Sequence, residues 1–182
     1  KNFIAVANPG CFAITAQLAL FPLKNLIKKT DIVAITGSSG SGKTPSEKTH
    51  HPTRIHNLKS YKINAHQHIP EIIQTINLKE DQINFVPTSG PFVRGIHLTA
   101  FVELKKNIDA KKLFSETYAK SYFVRLKETV ALAEVVGSNF CDISIQQNGK
   151  NLIIQTVIDN LIKGAAGTAV QNFNLINGLD EK

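Results

Sequence analysis

The sequence predicts an α+β domain, a mixed and mostly antiparallel sheet covered by helices on one side. Three observations lead there. The chain has 182 residues, 42% of them hydrophobic and 19% charged, which suits one globular domain with a real core. Strand patterns are interleaved with helical ones along its length. One pair of strands is joined by Asn148-Gly149, a strong hairpin signal.

The elements follow in order. Ala13, Ile14, Ala16, Leu18, Ala19 and Leu20 give a helical pattern over 12–20, which Pro22 stops, with a restart expected as far as Lys28. Residues 31–36 (Asp-Ile-Val-Ala-Ile-Thr) read as a short buried strand, and 37–44 as a Gly/Ser loop. The polar stretch 45–59 reads as an exposed loop, 61–65 as a strand, and 70–76 as a short helix with Glu71 in its first turn. Strands are expected at 83–88 and 95–104, the second alternating apolar and polar residues. An amphipathic helix covers 109–122, with Asp109 as N-cap. Strands at 141–147 and 152–158 flank the hairpin, and a helix over 160–175 carries small residues (Gly164, Ala165, Ala166, Gly167, Ala169) early on. No repeat or linker is visible.

Composition narrows the function classes. The net charge of +7 suits a phosphorylated substrate or cofactor as well as a nucleic acid. The basic residues are scattered with few aromatics among them, which sets nucleic-acid binding aside. No apolar run is long enough to span a membrane. The chain opens on Lys1 and contains no Met, so a fragment or processed piece is expected. Cys11 and Cys141 could form one disulfide; with no signal peptide and one of them in a reactive setting, the reducing cytoplasm is the expected compartment.

Cys11 carries the most chemistry. It lies directly behind Pro9-Gly10 and at the N-terminus of the first helix. The helix dipole and unpaired N–H groups there favour thiolate over thiol, and the same N–H groups can hold an oxyanion. The competing reading is a buried cysteine packed as a small hydrophobe.

Two other patterns invite stronger readings than they support. Gly37-Ser38-Ser39-Gly40-Ser41-Gly42-Lys43-Thr44 matches the nucleotide P-loop in full and follows a strand. Yet residues 45–54 offer no apolar stripe for the helix a P-loop requires, so the ATPase reading is set aside, although the loop can still cradle a phosphate through its N–H groups. His50, His51, His56, His66 and His68 have poor spacing for zinc, and no metal is expected. His66-Gln67-His68 on a strand end puts both rings on one side, and His68-Ile69-Pro70-Glu71 brings a carboxylate to the next helix. A His beside a thiol is an acid/base, with a carboxylate to fix its tautomer; the alternative is a surface His on a polar loop.

Taken in order, Asn8-Pro9-Gly10-Cys11, the 37–42 loop, His66-Gln67-His68-Ile69-Pro70-Glu71-Ile72, Val93-Arg94-Gly95, and 159–167 (Asp-Asn-Leu-Ile-Lys-Gly-Ala-Ala-Gly) with Gln171-Asn172 resemble the C-terminal, catalytic domain of the N-acetyl-γ-glutamyl-phosphate reductases. The resemblance covers essentially the whole chain. It implies a fold like the second domain of glyceraldehyde-3-phosphate and aspartate-semialdehyde dehydrogenases. It further implies that residues 1–182 form the catalytic and oligomerisation domain, and that a Rossmann NADP-binding domain belongs before residue 1. By resemblance, Cys11 attacks the γ-acyl phosphate, NADPH reduces the resulting thioester, and His68 is the acid/base oriented by Glu71. Asn8 and the Cys11 N–H support the oxyanion; Ser39, Gly40, Asn160 and Gly164 serve the cofactor; Arg94 takes the substrate carboxylate or phosphate. Asn160 also reads as a helix N-cap.

The resemblance further implies arginine biosynthesis, a homodimer or homotetramer, and a fragment inactive alone. Gln67 stands where relatives usually carry Arg, and 49–57 and 88–91 also depart from the common pattern. The added His and Arg in 49–57 would suit a larger acidic acyl group such as succinyl, with acetyl the default. Related aspartate-semialdehyde or aminoadipyl reductases and a P-loop nucleotide-binding module are the alternatives. Fast alkylation of Cys11 beside slow alkylation of Cys141 is the expected mark of the thiolate.

Overall fold

Alternation of buried and exposed residues along the strands sets the architecture. In β1 (Ile27–Thr36), Ile27, Thr30, Ile32, Ala34 and Thr36 are buried, while Lys29, Asp31 and Val33 are exposed. A strand with such a period has one covered face. The computed structural model describes residues 5–42, 44, 46 and 50–182. It also contains β2 (Lys59–Ser60), β3 (Ile83–Ser89), β4 (Ile96–Leu104), β5 (Val124–Leu126), β6 (Cys141–Asn148) and β7 (Asn151–Ile158). They form one seven-stranded sheet in the order β2-β3-β1-β4-β7-β6-β5. The β1/β3 and β5/β6 pairs are parallel, and the other four pairs are antiparallel. The predicted mixed, mostly antiparallel sheet is therefore present.

The helices that cover the sheet are α1 (Cys11–Leu20), α3 (Ile69–Ile76) and α4 (Ala110–Tyr118), after a short α2 (His51–Arg54). Helix α1 lies against β4, β7 and α3. Phe12, Leu20, Ile72, Ile76, Phe85, Leu98, Phe114, Ile143 and Ile154 fill the space between. Asp109 caps α4 as expected, its Oδ1 accepting the Lys112 N–H at 3.0 Å. Asn77 closes α3 in the left-handed conformation (φ 60°). The opposite face of the sheet stays open, with Val33, Phe101 and Ile153 exposed by 39%, 48% and 43%. Phe101 pairs directly with Ile153 across β4 and β7.

Several boundaries differ from the sequence reading. The first helix does not restart: a single 3-10 turn at Phe21–Leu23 and a left-handed Asn25 (φ 70°) deliver the chain straight into β1. Residues 61–65 are not a strand, because Lys62 and Asn64 take φ values of 46° and 52°, which extended pairing forbids. This stretch still leans on β3 through the Asn64 side chain, whose Oδ1 accepts from Phe85 N at 2.7 Å. The polar 45–59 stretch contains α2, whose Arg54 is only 5% exposed. The hairpin is present, with Asn148 opposite Asn151 and Gly149 at φ 59°. The last helix begins as a π-turn, Ile162–Ala166, and continues as α5 (Gly167–Ile176).

Candidate active site

Cys11 opens α1 beneath the edge of α3, and both helices contribute to its surroundings. Gly10 precedes it in extended conformation, and its N–H donates to Glu71 Oε2 at 2.8 Å. Glu71 is anchored from behind, because Gln17 donates to its backbone carbonyl at 3.0 Å and to Thr75 Oγ1 at 2.9 Å. A side chain at Gly10 would collide with His68, Nε2 foremost. Only glycine lets the imidazole approach the turn that carries the thiol.

The ionisation of these groups is not what helix position alone suggests. Burial pushes the Cys11 thiol above its ordinary value, and the Glu71 charge adds to this. The backbone N–H groups of Phe12 and of Cys11 itself pull the other way and do not win. The resting thiol is therefore protonated, a correction to the expected thiolate. His68 is held below its ordinary value by burial, partly offset by Glu71, so it is neutral at pH 7 and able to take a proton. Glu71 does not orient His68 by a hydrogen bond. It is committed to Gly10, and His68 Nδ1 is buried without a partner. The reason is packing: Glu71 is in the first turn of α3, which lies against α1 and brings the carboxylate to the Gly10 N–H.

A second cluster gathers around Asn160. Its Oδ1 accepts from Gly95 N at 2.6 Å, and its Nδ2 donates to Ser39 Oγ at 3.0 Å. Ser39 Oγ in turn donates to Val93 O at 2.7 Å. A Cβ on Gly40 would meet Thr36 Oγ1 at 3.1 Å and Asn160 Nδ2 at 3.4 Å, so the glycine leaves a shallow recess beside the amide. Ser39, Gly40 and Asn160 are thus brought together. Asn160 is not the helix cap, however. That role belongs to Asp159, fully buried, whose Oδ1 accepts from Leu161 N and Ile162 N at 2.8 and 3.0 Å and whose Oδ2 accepts from Gly137 N at 2.8 Å. An aspartate at the entry to a helical pattern was the readable signal.

The π-turn links the two clusters. Gly164 N donates to Asp159 O at 2.9 Å, and the Gly164 Cα packs on Cys11, where a Cβ would lie 2.8 Å from Cys11 Cβ. Gly164 therefore packs against the thiol's own residue. Arg94 pairs with the buried Asp159 at 3.4 Å while its side chain stays 38% exposed. Asn8 is exposed and accepts from Asn172 Nδ2 on α5 at 2.6 Å.

The Gly/Ser loop is held by backbone contacts. Ser38 N and Ser39 N donate to Phe92 O and Val93 O, and Gly40 N donates to Gly37 O. Three N–H groups that a P-loop would aim at phosphate are thus spent; Lys43 and Pro45 lie outside the described residues. From the other side α2 grips the loop. His51 Nδ1 meets Ser38 Oγ at 2.8 Å, Arg54 Nη1 donates to Ser41 Oγ and Arg54 Nη2 to Thr36 O, both at 2.9 Å. Among the described residues, no three His, Cys, Asp or Glu side chains converge as a metal ion would need.

Residues 11–160 match the family described as "Semialdehyde dehydrogenase, dimerisation domain". The chain belongs to the semialdehyde dehydrogenase dimerisation-domain family. Its similarity to curated proteins points within that family. It is 44% identical over 97% of its length to the N-acetyl-gamma-glutamyl-phosphate reductase of Azobacteroides pseudotrichonymphae, covering 57% of that protein. It is 45% identical over its full length to the reductase of the same name from Christiangramia forsetii, covering 60% of it. A third, from Bacillus cereus strain ATCC 10987, is 42% identical, with 57% covered. This semialdehyde dehydrogenase domain thus spans less than two thirds of these relatives' length. Among solved structures it superposes on aspartate semialdehyde dehydrogenase II from Vibrio cholerae with a TM-score of 0.75 at 18% identity, over 95% of this chain and 62% of that one. The Francisella tularensis enzyme gives 0.73 at 15% identity, over 93% and 64%. These two likenesses establish the fold.

Proposed function

We propose that the protein containing this domain reduces an N-acyl-γ-glutamyl phosphate to the N-acyl-glutamate semialdehyde, with NADPH as reductant and a thioester on Cys11 as intermediate. The observation that supports it most is the neutral, half-buried His68 imidazole set against Gly10, the residue before Cys11, in a chain 44% identical to a named reductase of this type. Cys11 is protonated at rest, so attack is coupled to proton loss. His68 takes the thiol proton as sulfur bonds to the acyl carbon, and phosphate leaves with the C–O bond electrons. N–H groups at the start of α1 support the oxyanion. A nicotinamide held beside Ser39, Gly40 and Asn160 would supply the hydride that reduces the thioester carbon to the thiohemiacetal. Collapse of the thiohemiacetal breaks the C–S bond, releases the aldehyde and returns the His68 proton to sulfur.

The recess at Gly40 beside the Asn160 amide fits a flat carboxamide, to which the remaining Asn160 N–H can donate. The chain covers 57% of its Azobacteroides relative, and we infer that a nucleotide-binding domain in the remainder completes the cleft and that the 182 residues alone reduce nothing at a useful rate. The acyl group is read as acetyl. The Arg54 and His51 side chains that would suit a larger acidic acyl are engaged with Ser41, Thr36 and Ser38. We further place the enzyme in the cytoplasm and in arginine biosynthesis, as a homo-oligomer joined through the open face of the sheet. No helix among the described residues is long and apolar enough to cross a membrane.

Steady-state reduction by the full-length protein, with N-acetyl and N-succinyl acyl phosphates side by side, is the test. NADPH oxidation favouring the acetyl substrate, and its loss in Cys11→Ser, is the expected result. Activity surviving Cys11→Ser, or activity only on an aspartyl phosphate, overturns the reading.

A further inference from the structure

His66 has no part in the chemistry described so far, yet it is built into the site. It is only 8% exposed. Its ring packs edge-on against Phe12 at 5.4 Å, Tyr61 at 5.8 Å and Phe85 at 5.8 Å, and against His68 itself at 4.7 Å. Its backbone carbonyl accepts from Ile69 N at 3.0 Å, and its Nδ1 accepts from His68 N at 3.2 Å. One residue therefore receives both of the N–H groups that open α3 around His68. The contrast with His68 is plain: that imidazole has no hydrogen-bond partner at Nδ1, and Glu71 is spent on Gly10.

We propose that His66 is a positioning residue: through the hydrogen bond its Nδ1 accepts from His68 N and the ring contact between them, it fixes the His68 imidazole against Gly10 and Cys11. The role requires an unprotonated Nδ1, because a protonated one would face the His68 N–H donor to donor. The surroundings enforce this. The charged and titratable groups acting on His66 are His68 and Lys62, and both oppose a charge on it; Tyr61, the other titratable ring against it, is kept neutral by burial. Burial disfavours the imidazolium further, and His66 is held at about 4. Two adjacent imidazoles cannot both be cationic cheaply, so a neutral His66 leaves the proton-carrying role to His68 alone.

The inference rests on the proposed reductase reading for its catalytic meaning, and the test separates the two. In the full-length protein, His66→Phe keeps the aromatic packing and removes the acceptor. His66→Asn places a carbonyl oxygen where Nδ1 stands and cannot titrate. The readouts are the His68 imidazole titration, followed by NMR with labelled histidine, and kcat and KM as functions of pH. In His66→Phe the His68 titration moves, and kcat falls by about 10²-fold while KM for the acyl phosphate changes less than about threefold, as misplacement of a reacting group predicts. His66→Asn restores both. An unchanged His68 titration and kcat in His66→Phe overturn the inference, as does a His66→Asn enzyme as impaired as the Phe variant. Should the Phe variant not fold, the Asn variant decides, because the proposal requires it to be near wild type. A shifted His68 titration in a protein without reductase activity supports this inference and overturns the functional reading. An active enzyme with a silent titration does the reverse.

Discussion

At the residue scale the thiol and the two imidazoles behave as buried groups first and as helix-end groups second. Cys11 starts from an ordinary value of 9.0 and is raised, so its alkylation by iodoacetamide climbs with pH through 9, with no plateau near neutrality. A rate already at its maximum at pH 7 would contradict the burial argument. Cys141 is fully buried and pushed up to about 12, and stays unlabelled in the folded protein. His66 adds a pH dependence of stability. Its folded value of about 4 is below its ordinary 6.5, so the unfolded chain binds the extra proton between those values. The contribution is complete above pH 6.5 and is lost as pH falls toward 4, by up to about 3 kcal/mol. Urea unfolding midpoints that drop over this window in wild type, and less in His66→Asn, are expected.

At the scale of elements, the caps and turns position the chemistry. Asp159 gathers Leu161 N, Ile162 N, Gly137 N and the Arg94 guanidinium on one buried carboxylate. Asp159→Asn removes the charge and turns an NH2 toward a donor, and is expected to cost about 3–5 kcal/mol, measured by chemical denaturation. Arg94→Leu should cost no more than the carboxylate's lost partner, because that arginine is partly exposed. The regular elements were legible in the sequence. Period-two alternation gave β4, a short apolar run gave the later part of β1, Asp109 gave α4, and Asn148-Gly149 gave the hairpin of β6 and β7. The irregular ones were not. The 61–65 stretch has strand-like composition, and its two left-handed residues are not glycines, so no local signal breaks the pattern. The site was legible as a set of residues and not as a wiring scheme. The Gly10 turn before Cys11 does carry contacts to both His68 and Glu71, but Glu71 bonds Gly10 because the packing of α3 on α1 brings it there. Arg54 was hidden for the same reason: a cation in a polar stretch reads as solvated until its hydrogen bonds to Ser41 and Thr36 are seen.

At the scale of the whole molecule, helices occupy one side of the sheet and leave Val33, Phe101 and Ile153 bare on the other. An exposed aromatic–aliphatic pair at the centre of a seven-stranded sheet is a surface suited to association. Phe101→Glu in the full-length protein is expected to lower the assembly state in sedimentation experiments while leaving the helical content unchanged; an unaltered state would remove this face from the interface. The strand order carries another consequence. Central β1 takes β3 on one side and β4 on the other, and β4 then waits for β7, which is last of all the strands in sequence. Gly164, which closes on Cys11, comes later still. Translation must therefore run on from Cys11 to Gly164 before the thiol gains its lining. During that interval Cys11 is an ordinary accessible thiol, open to oxidants, and the time taken to make and dock the segment around Gly164 becomes the period of chemical vulnerability.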